Sequence, residues 1–448
     1  MKQTATIKQT RKHFSQDFLI RKVRTSLEAE LKRHSYSDRN NSITTIDCLM
    51  SALAMFTFKC PSMLDFGDRY VSDKTINANL CDLFGITSSI PSDTRMRERL
   101  DEITPEVMRK CYTAIFTLLQ RAKILDNFKF MEKYHLVSLD GTGFFSSSSV
   151  HCDNCCVKEH ANGDKTYYHQ MLSGALVHPN QKVAYPFASE PILKQDGVAK
   201  NDCERNAAKR WLADFRREHP HLQVILLADG LSSNTPFIEL LEEHKMHYIL
   251  VCKEGDHKYT MDWLNAADDE DAPTITTVWQ NDKNVQINSS YQYMNNVPLN
   301  SEHKTMVNVL RYRETKKEKT SKWIWVTDFK LNENNIKQIM QGGRARWRIE
   351  NETFNTLKNQ GYNFEHNYGH GYKNLSTVLA LLMMLAFFID QVQQSVNCLF
   401  MGAYAREGTK RSLWETMRSF MKLLHIDSFE LLYMIISSAK HRDLIKIR

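Results

Sequence analysis

The sequence has no apolar stretch behind Met1; its opening is polar and basic, so a secretory leader is not expected. It has a single long greasy run, residues 378–389 within LSTVLALLMMLAFFID. Twelve such residues are too few for a hydrocarbon core of about 30 Å, so a buried helix and no membrane partner are expected. No internal repeat is evident, which sets aside solenoid architectures. Ten cysteines without an export signal do not suggest a disulfide framework. The expected compartment is a reducing cytoplasm.

What is present is ample. With 448 residues, 42% of them hydrophobic, the chain can bury a large core and form two or three structural units. A formal net charge of +7 is compatible with a polyanionic partner without requiring one. The first forty residues carry ten lysines and arginines against four acids. That bias reads either as a solvated helical face or as an arm that contacts phosphates.

From Ser15 to about Phe128 the pattern is helical. QDFLIRKVRTSLEAELKRH spaces its apolar residues three and four apart, and ITTIDCLMSALAMFTF reads as a buried helix. TRMRERLDEI and the stretch opened by Thr104-Pro105-Glu106 add two more. Such helices suit a helix-turn-helix reader of DNA or a plain bundle. At Tyr134 the character changes. YHLVSLDGTGFF reads as a buried strand ending at Asp140 in a Gly-rich turn, and QKVAYPFA as another strand. NDCERNAAKRWLADFRREH is an amphipathic helix, and VILLADGLSS is an apolar strand ending at Asp229. MHYILVCK and KWIWVTDF complete the set, with a polar, short-stranded, lysine-rich insertion at about 256–320 between them. The alternation predicts an α/β core with a mixed sheet flanked by helices.

Two core strands thus each reach an Asp-Gly pair. A carboxylate is costly at the end of an apolar strand unless a cation compensates it, and ligands favour such strand ends. One Asp-Gly is an ordinary turn; two in one domain call for a reason. The third element is RARWRIENETFNTLKNQGY, a helix that presents Glu350, Phe354 and Lys358 on one side with Arg346 a turn before. Oxygen ligands there suit magnesium or manganese, and basic groups suit phosphates.

The order strand-Asp140, strand-Asp229, then Arg346-Trp347-Arg348-Ile349-Glu350 on a helix resembles the DDE transposases of bacterial insertion sequences. The resemblance covers about residues 130–395, with Arg-Trp-x-Ile-Glu as its most specific part. It implies an RNase H-like catalytic domain at 131–395, interrupted by a β-rich insertion before the last catalytic helix. A helical DNA-binding domain at 1–130 would precede it, and a helical region at 396–448 would follow. It implies that Asp140, Asp229 and Glu350 hold two divalent ions, Mg²⁺ or Mn²⁺, which clamp a phosphodiester for cleavage at transposon ends. The freed 3′-OH would then join target DNA, with no covalent enzyme intermediate. Arg346, Trp347, Arg348 and Lys358 would contact double-stranded DNA, and paired ends imply a homodimer in the active complex. The chain departs from the pattern in two places. Gly343 stands where a tyrosine is usual, and the lysine falls eight residues after Glu350, with Leu357 at the usual seventh. Glu352 is an alternative third acid.

HCDNCCVKEHANGDKTYYHQ gathers His151, Cys152, Cys155, Cys156, His160 and His169. Cys152, Cys155, His160 and His169 have plausible spacing for structural zinc, with Cys203 as a distant alternative; no second C-x-x-C follows. Trp323, Trp325 and Trp347 suit either a core or stacking on a flipped base. Two rival functions stand beside transposition: another two-metal DNA nuclease, and a non-catalytic DNA-binding relative of a transposase.

Overall fold

The computed structural model describes residues 14–38, 42–194, 203–280 and 284–437. Lys2, Lys8, Arg11, Lys12 and Arg39, half of the basic residues counted above, lie outside the described residues.

The N-terminal helices form where the periodicity predicts them, and short polar residues start them. Ser15 caps α1 (Gln16–Arg33) and Thr44 caps α2 (Thr45–Thr57). Asp73 caps α3 (Lys74–Phe84) and Ser92 caps α4 (Asp93–Asp101). After Pro105 a short 3₁₀ turn leads into α5 (Arg109–Arg121).

The strands follow. β1 (Lys129–Phe130) is a short partner of β2 (Tyr134–Ser147), which forms a long hairpin with β4 (Lys165–Val177) around β3 (Cys156–Glu159). β5 (Tyr185–Pro186) and β6 (Glu190–Ile192) flank β4. After α6 (Glu204–Glu218), β7 (Val224–Ala228) pairs parallel with β2. After α7 (Thr235–Glu243), β8 (His247–Val251) pairs parallel with β7. Three antiparallel elements followed by two parallel ones are the RNase H-like arrangement. Two expectations change here. QKVAYPFA supplies only the two strand residues of β5, and Asp140 does not end its strand. Paired across to Ser173, β2 runs on through Gly141 to Ser147, so only its parallel pairing stops near Asp140.

The expected insertion is not short-stranded. After α8 (Lys258–Ala266) come β9 (Thr274–Gln280), β10 (Gln286–Pro298), β11 (Met306–Lys316) and β12 (Lys319–Thr327). They make an antiparallel meander, and β12 joins it to β8, so one twelve-strand sheet spans the protein. The reason lies in β12: Trp325 and Val326 face buried surroundings like any core strand, while the outer strand β9 is exposed along its length.

Two layers cover the sheet. One begins with α9 (Ile336–Ala345) and continues helically to Asn359. The other is the helical body around α10 (Leu375–Val396), whose 22 residues include eighteen that are buried. This helix is longer than the run read from the sequence, long and apolar enough to cross a membrane, but its apolar window lies wholly inside the protein. It is a core helix. α11 (Cys398–Glu407), α12 (Lys410–Leu423) and α13 (Phe429–Ser437) close the body together with the N-terminal helices. Asn79 of α3 binds Met421 and Leu424 carbonyls and the Ile426 amide, so the two ends of the chain share one core.

Asp101 ties α4 to the start of α10. Its carboxylate accepts the amides of Tyr372, Lys373, Asn374 and Leu375 at 2.9–3.0 Å. Burial pushes its pKa up, but these four bonds outweigh that and leave it below its ordinary value. Gly371 permits the approach, since its φ is +68° and a Cβ would lie 2.3 Å from Asp101 Oδ1. Asp101→Ala is expected to destabilise the protein by about 3 kcal/mol, because amides at a helix start lose a charged acceptor. A denaturant midpoint equal to that of the unchanged protein would refute this.

Candidate active site

Parallel pairing of β2 with β7 sets the site. Each β2 residue from His135 to Ser138 lies opposite the residue 89 positions later, up to Leu227. Continued two steps, that register puts Asp140 beside Asp229, on strands about 4.8 Å apart. Side chains alternate along a strand, so both aspartates share the face of Leu136, Ile225 and Leu227. Those residues belong to the core under α9, whereas Val137 and Leu226 face the helical body. Asp140 therefore looks toward the layer that carries Glu350, while Asp229, one residue past the end of β7, shares a cleft with it.

That layer is fixed to β2. Ser138 Oγ donates to the Arg346 carbonyl at 3.0 Å, one pleat from Asp140. The Arg346 guanidinium lies 3.4 Å from Asp140 Oδ2 and 2.8 Å from Glu350 Oε1. Glu352 takes a different partner: Arg348 binds it at 2.8 Å and the Pro179 carbonyl at 2.7 Å. From Ile349 to Phe354 the helix widens into a π turn, a feature frequent at functional sites. Lys358, past that turn, pairs with Glu365 at 2.7 Å. Asp229 also serves its turn, Oδ1 accepting from the Leu231 amide at 3.0 Å.

Asp140 is the strained acid. Burial raises its pKa to about 7; Arg346 pulls it down, while Glu350 and Glu204 push it up. An acid that is desolvated and crowded by like charge gains most from a bound cation. Asp140 is joined to Glu350 through Arg346 and shares a cleft with Asp229, and carboxylates, as hard oxygen donors, suit divalent ions of the magnesium type.

The sequence reading missed one acid. Glu204 opens α6 and reaches so close to β2 that a Cβ on Gly141 would lie 2.2 Å from its Oε1. Burial, then the Asp229 charge, raises its pKa. Asp140, Asp229, Glu204, Arg205 and Lys209 line one cleft of about 730 Å³. No spacing rule links Glu204 to the aspartates; only folding brings it there.

The unusual Gly343 has a steric cause. A Cβ there would lie 2.5 Å from the Trp325 indole, so α9 could not seat on β12 with a tyrosine. Gly343→Ala is expected to cost about 1–3 kcal/mol by overpacking and to lower the melting temperature. Unchanged melting would show that the indole gives way. Trp325 is thus core, and Trp323 stacks on Tyr312 and under Arg344. Trp347 is 51% exposed beside Arg346, on a groove that also holds Trp279, Lys337, Arg344 and Arg348.

A second group of side chains gathers beyond Asp140. Cys152, Cys155, His169 and His370 are mutually within 4.8 Å. The sulfurs are 3.8 Å apart, and the Cys–His contacts measure 3.3–3.4 Å. A tetrahedral zinc centre requires about 3.8 Å between sulfurs and about 3.5 Å between sulfur and nitrogen, given its bond lengths. The Cys155 thiol, against burial and with help from His169, holds Cys152 down to about 4. This buried Cys₂His₂ group is consistent with a zinc site. It corrects one expected ligand: His160 lies exposed in the β3–β4 turn, bonded to Thr166 Oγ1 at 2.8 Å, and His370 takes its place. Cys203 sits at the start of α6 by the carboxylates, away from this group.

Residues 158–388, just over half of the chain, match the family described as the transposase DDE domain. The match takes in Asp229 and Glu350 and begins after Asp140. No curated protein matches the chain.

Proposed function

Because the chain belongs to the transposase DDE domain family, we propose that it is a DNA transposase of the insertion-sequence type whose acids are Asp140, Asp229 and Glu350. The family makes it a DNA-binding transposase with divalent metals; the residue roles and steps are our reading. The observation that carries it is the parallel register of β2 and β7, which supports two carboxylates side by side under the Glu350 helix.

The three carboxylates would hold two divalent ions, which supply Lewis-acid stabilisation to a phosphodiester under attack. The protein's own groups orient the site. Arg346 spaces Asp140 from Glu350, and Ser138 fixes the helix on β2. In hydrolysis a water oxygen bonds to phosphorus while the P–O3′ bond breaks, leaving a 3′-OH. In strand transfer that 3′-OH displaces a target phosphodiester oxygen, one P–O bond forming as one breaks. We read Arg346, Trp347, Arg348 and Lys358 as contacts to the DNA, and pairing of two ends would call for a dimer. Action on a bacterial chromosome would place it in the cytoplasm. We also read Cys152, Cys155, His169 and His370 as ligands of a structural zinc ion.

Duplexes ending in the inverted repeats that flank the coding sequence, mixed with protein, Mg²⁺ and a plasmid, test the function. Nicked ends bearing 3′-OH groups and joined products are expected. Cleavage without joining would favour a plain nuclease, and Mg²⁺-independent binding without cleavage would favour a non-catalytic DNA binder.

A further inference from the structure

The ligands of the Cys₂His₂ group come from two sides of the catalytic centre. Cys152, Cys155 and His169 belong to the β2–β4 hairpin, where Phe145 lies opposite His169, five residues beyond Asp140. His370 belongs to the segment 360–374, which leads from the Glu350 helix to α10 and holds no helix or strand. Left-handed backbone at Asn363, Gly361 and Gly371 makes that segment turn repeatedly. Its far end is pinned by Asp101. Near the hairpin it has the Asn154–Lys373 bond of 2.8 Å, the Phe145–His370 ring contact of 4.3 Å and the Cys/His group itself.

The group is built for a ligand rather than for packing. His370 Nδ1 lies 3.1 Å from the Gly371 carbonyl, so its proton is donated there and Nε2 turns a lone pair to the Cys155 sulfur at 3.3 Å. His169 is 2% exposed, and its Nε2 meets both sulfurs while Phe144 covers the ring. All four donors come from the protein, the closed set of a structural site with no position for substrate.

We infer that metal bound at this centre positions Glu350 against Asp140, by cross-linking the outer end of the Asp140 strand to the chain that leaves the Glu350 helix. This rests on the zinc reading above. His370 is then a positioning residue, remote from the reacting phosphate. Loss of the cross-link frees the exit of the helix, and a displacement near 1 Å at Glu350 lowers the cleavage rate about a hundredfold.

The experiment uses full-length protein, with zinc measured by mass spectrometry and cleavage measured at saturating Mg²⁺ on end-containing DNA. His370→Ala should lose zinc and cleave about a hundredfold more slowly, while its DNA dissociation constant changes little. His370→Cys, which keeps a four-ligand Cys₃His set, should retain zinc and recover cleavage. The cobalt-substituted unchanged protein should show visible thiolate–cobalt absorption that His370→Ala lacks. Absence of zinc and of that absorption from the unchanged protein would overturn the zinc reading. Zinc lost from His370→Ala with cleavage intact would overturn the positioning role alone. So would a His370→Cys protein that holds zinc but stays slow.

Discussion

Asp140→Asn is expected to lower DNA cleavage by at least about a thousandfold, equivalent to roughly 4 kcal/mol of transition-state stabilisation. The change keeps the shape of the side chain and removes its charge, so the loss falls on metal binding. Stability should not fall with it. Asp140 is a half-buried acid whose pKa desolvation raises to about 7 against the pull of Arg346, with Glu350 and Glu204 adding to the rise, so neutralising it removes a desolvation cost. Arg346 still has Glu350 as a partner. Cleavage assays and thermal melting on the same preparation separate the two quantities. Cleavage at the unchanged rate would end the assignment of Asp140, and a large drop in melting temperature would recast it as structural. Excess Mg²⁺ should not rescue the variant, because the missing charge is part of the site.

The largest expected effect on folding lies elsewhere. Lys59 follows α2 and is buried against Asp390 of α10, forming an ion pair between residues 3% and 4% exposed. Tyr362 donates to the same carboxylate at 2.5 Å, and Lys59 sits over the Trp414 ring at 3.9 Å. Asp390→Ala leaves the ammonium without its counter-charge and should cost about 3–5 kcal/mol. That is a large share of the roughly 5–15 kcal/mol that holds a typical protein folded. The sign with pH follows from Lys59, whose folded pKa burial lowers from 10.5. Below its folded value Lys59 is charged in both states, and the cost is full. As pH rises from that value toward 10.5 the folded protein releases the proton first, and the cost fades. Replacing both partners, as Lys59→Met with Asp390→Leu, should recover most of that loss, since no charge is left buried, and leave about 1–3 kcal/mol for the buried Tyr362 hydroxyl that loses its acceptor. Denaturant midpoints at two pH values decide it; equal midpoints for Asp390→Ala and the unchanged protein would show that the pair carries no net stability.

Much of this fold could be read along the chain because its signals are local. Periodicity and caps place α1, α2 and α4, and apolar runs place β7 and β8. Asp229 was legible as a strand end because its strand stops there. Asp140 was not, because a hairpin partner carries β2 past it, and pairing is a property of two segments. The breadth of the sheet was hidden for a similar reason: β9 to β11 have polar faces that read as loop until β12 joins them to β8. His370 lies 201 positions from His169, and Glu204 64 from Asp140, so no window of sequence contains either pair. The full length of α10 is not visible in its apolar run because Asp390, Gln391 and Gln393 extend a buried helix with polar side chains that find partners inside.

The π turn at Ile349–Phe354 accounts for the displaced lysine. A π turn takes in one residue more than an α turn before the helix comes round to the same side. Across it, eight residues advance the helix by nearly the angle that seven cover in regular α geometry. Lys358 is therefore carried back toward the bearing that Leu357 would have had in an unwidened helix, and Leu357 is wholly buried. The extra residue is absorbed within one turn of Glu350. The spacing is altered in sequence and largely restored in angle.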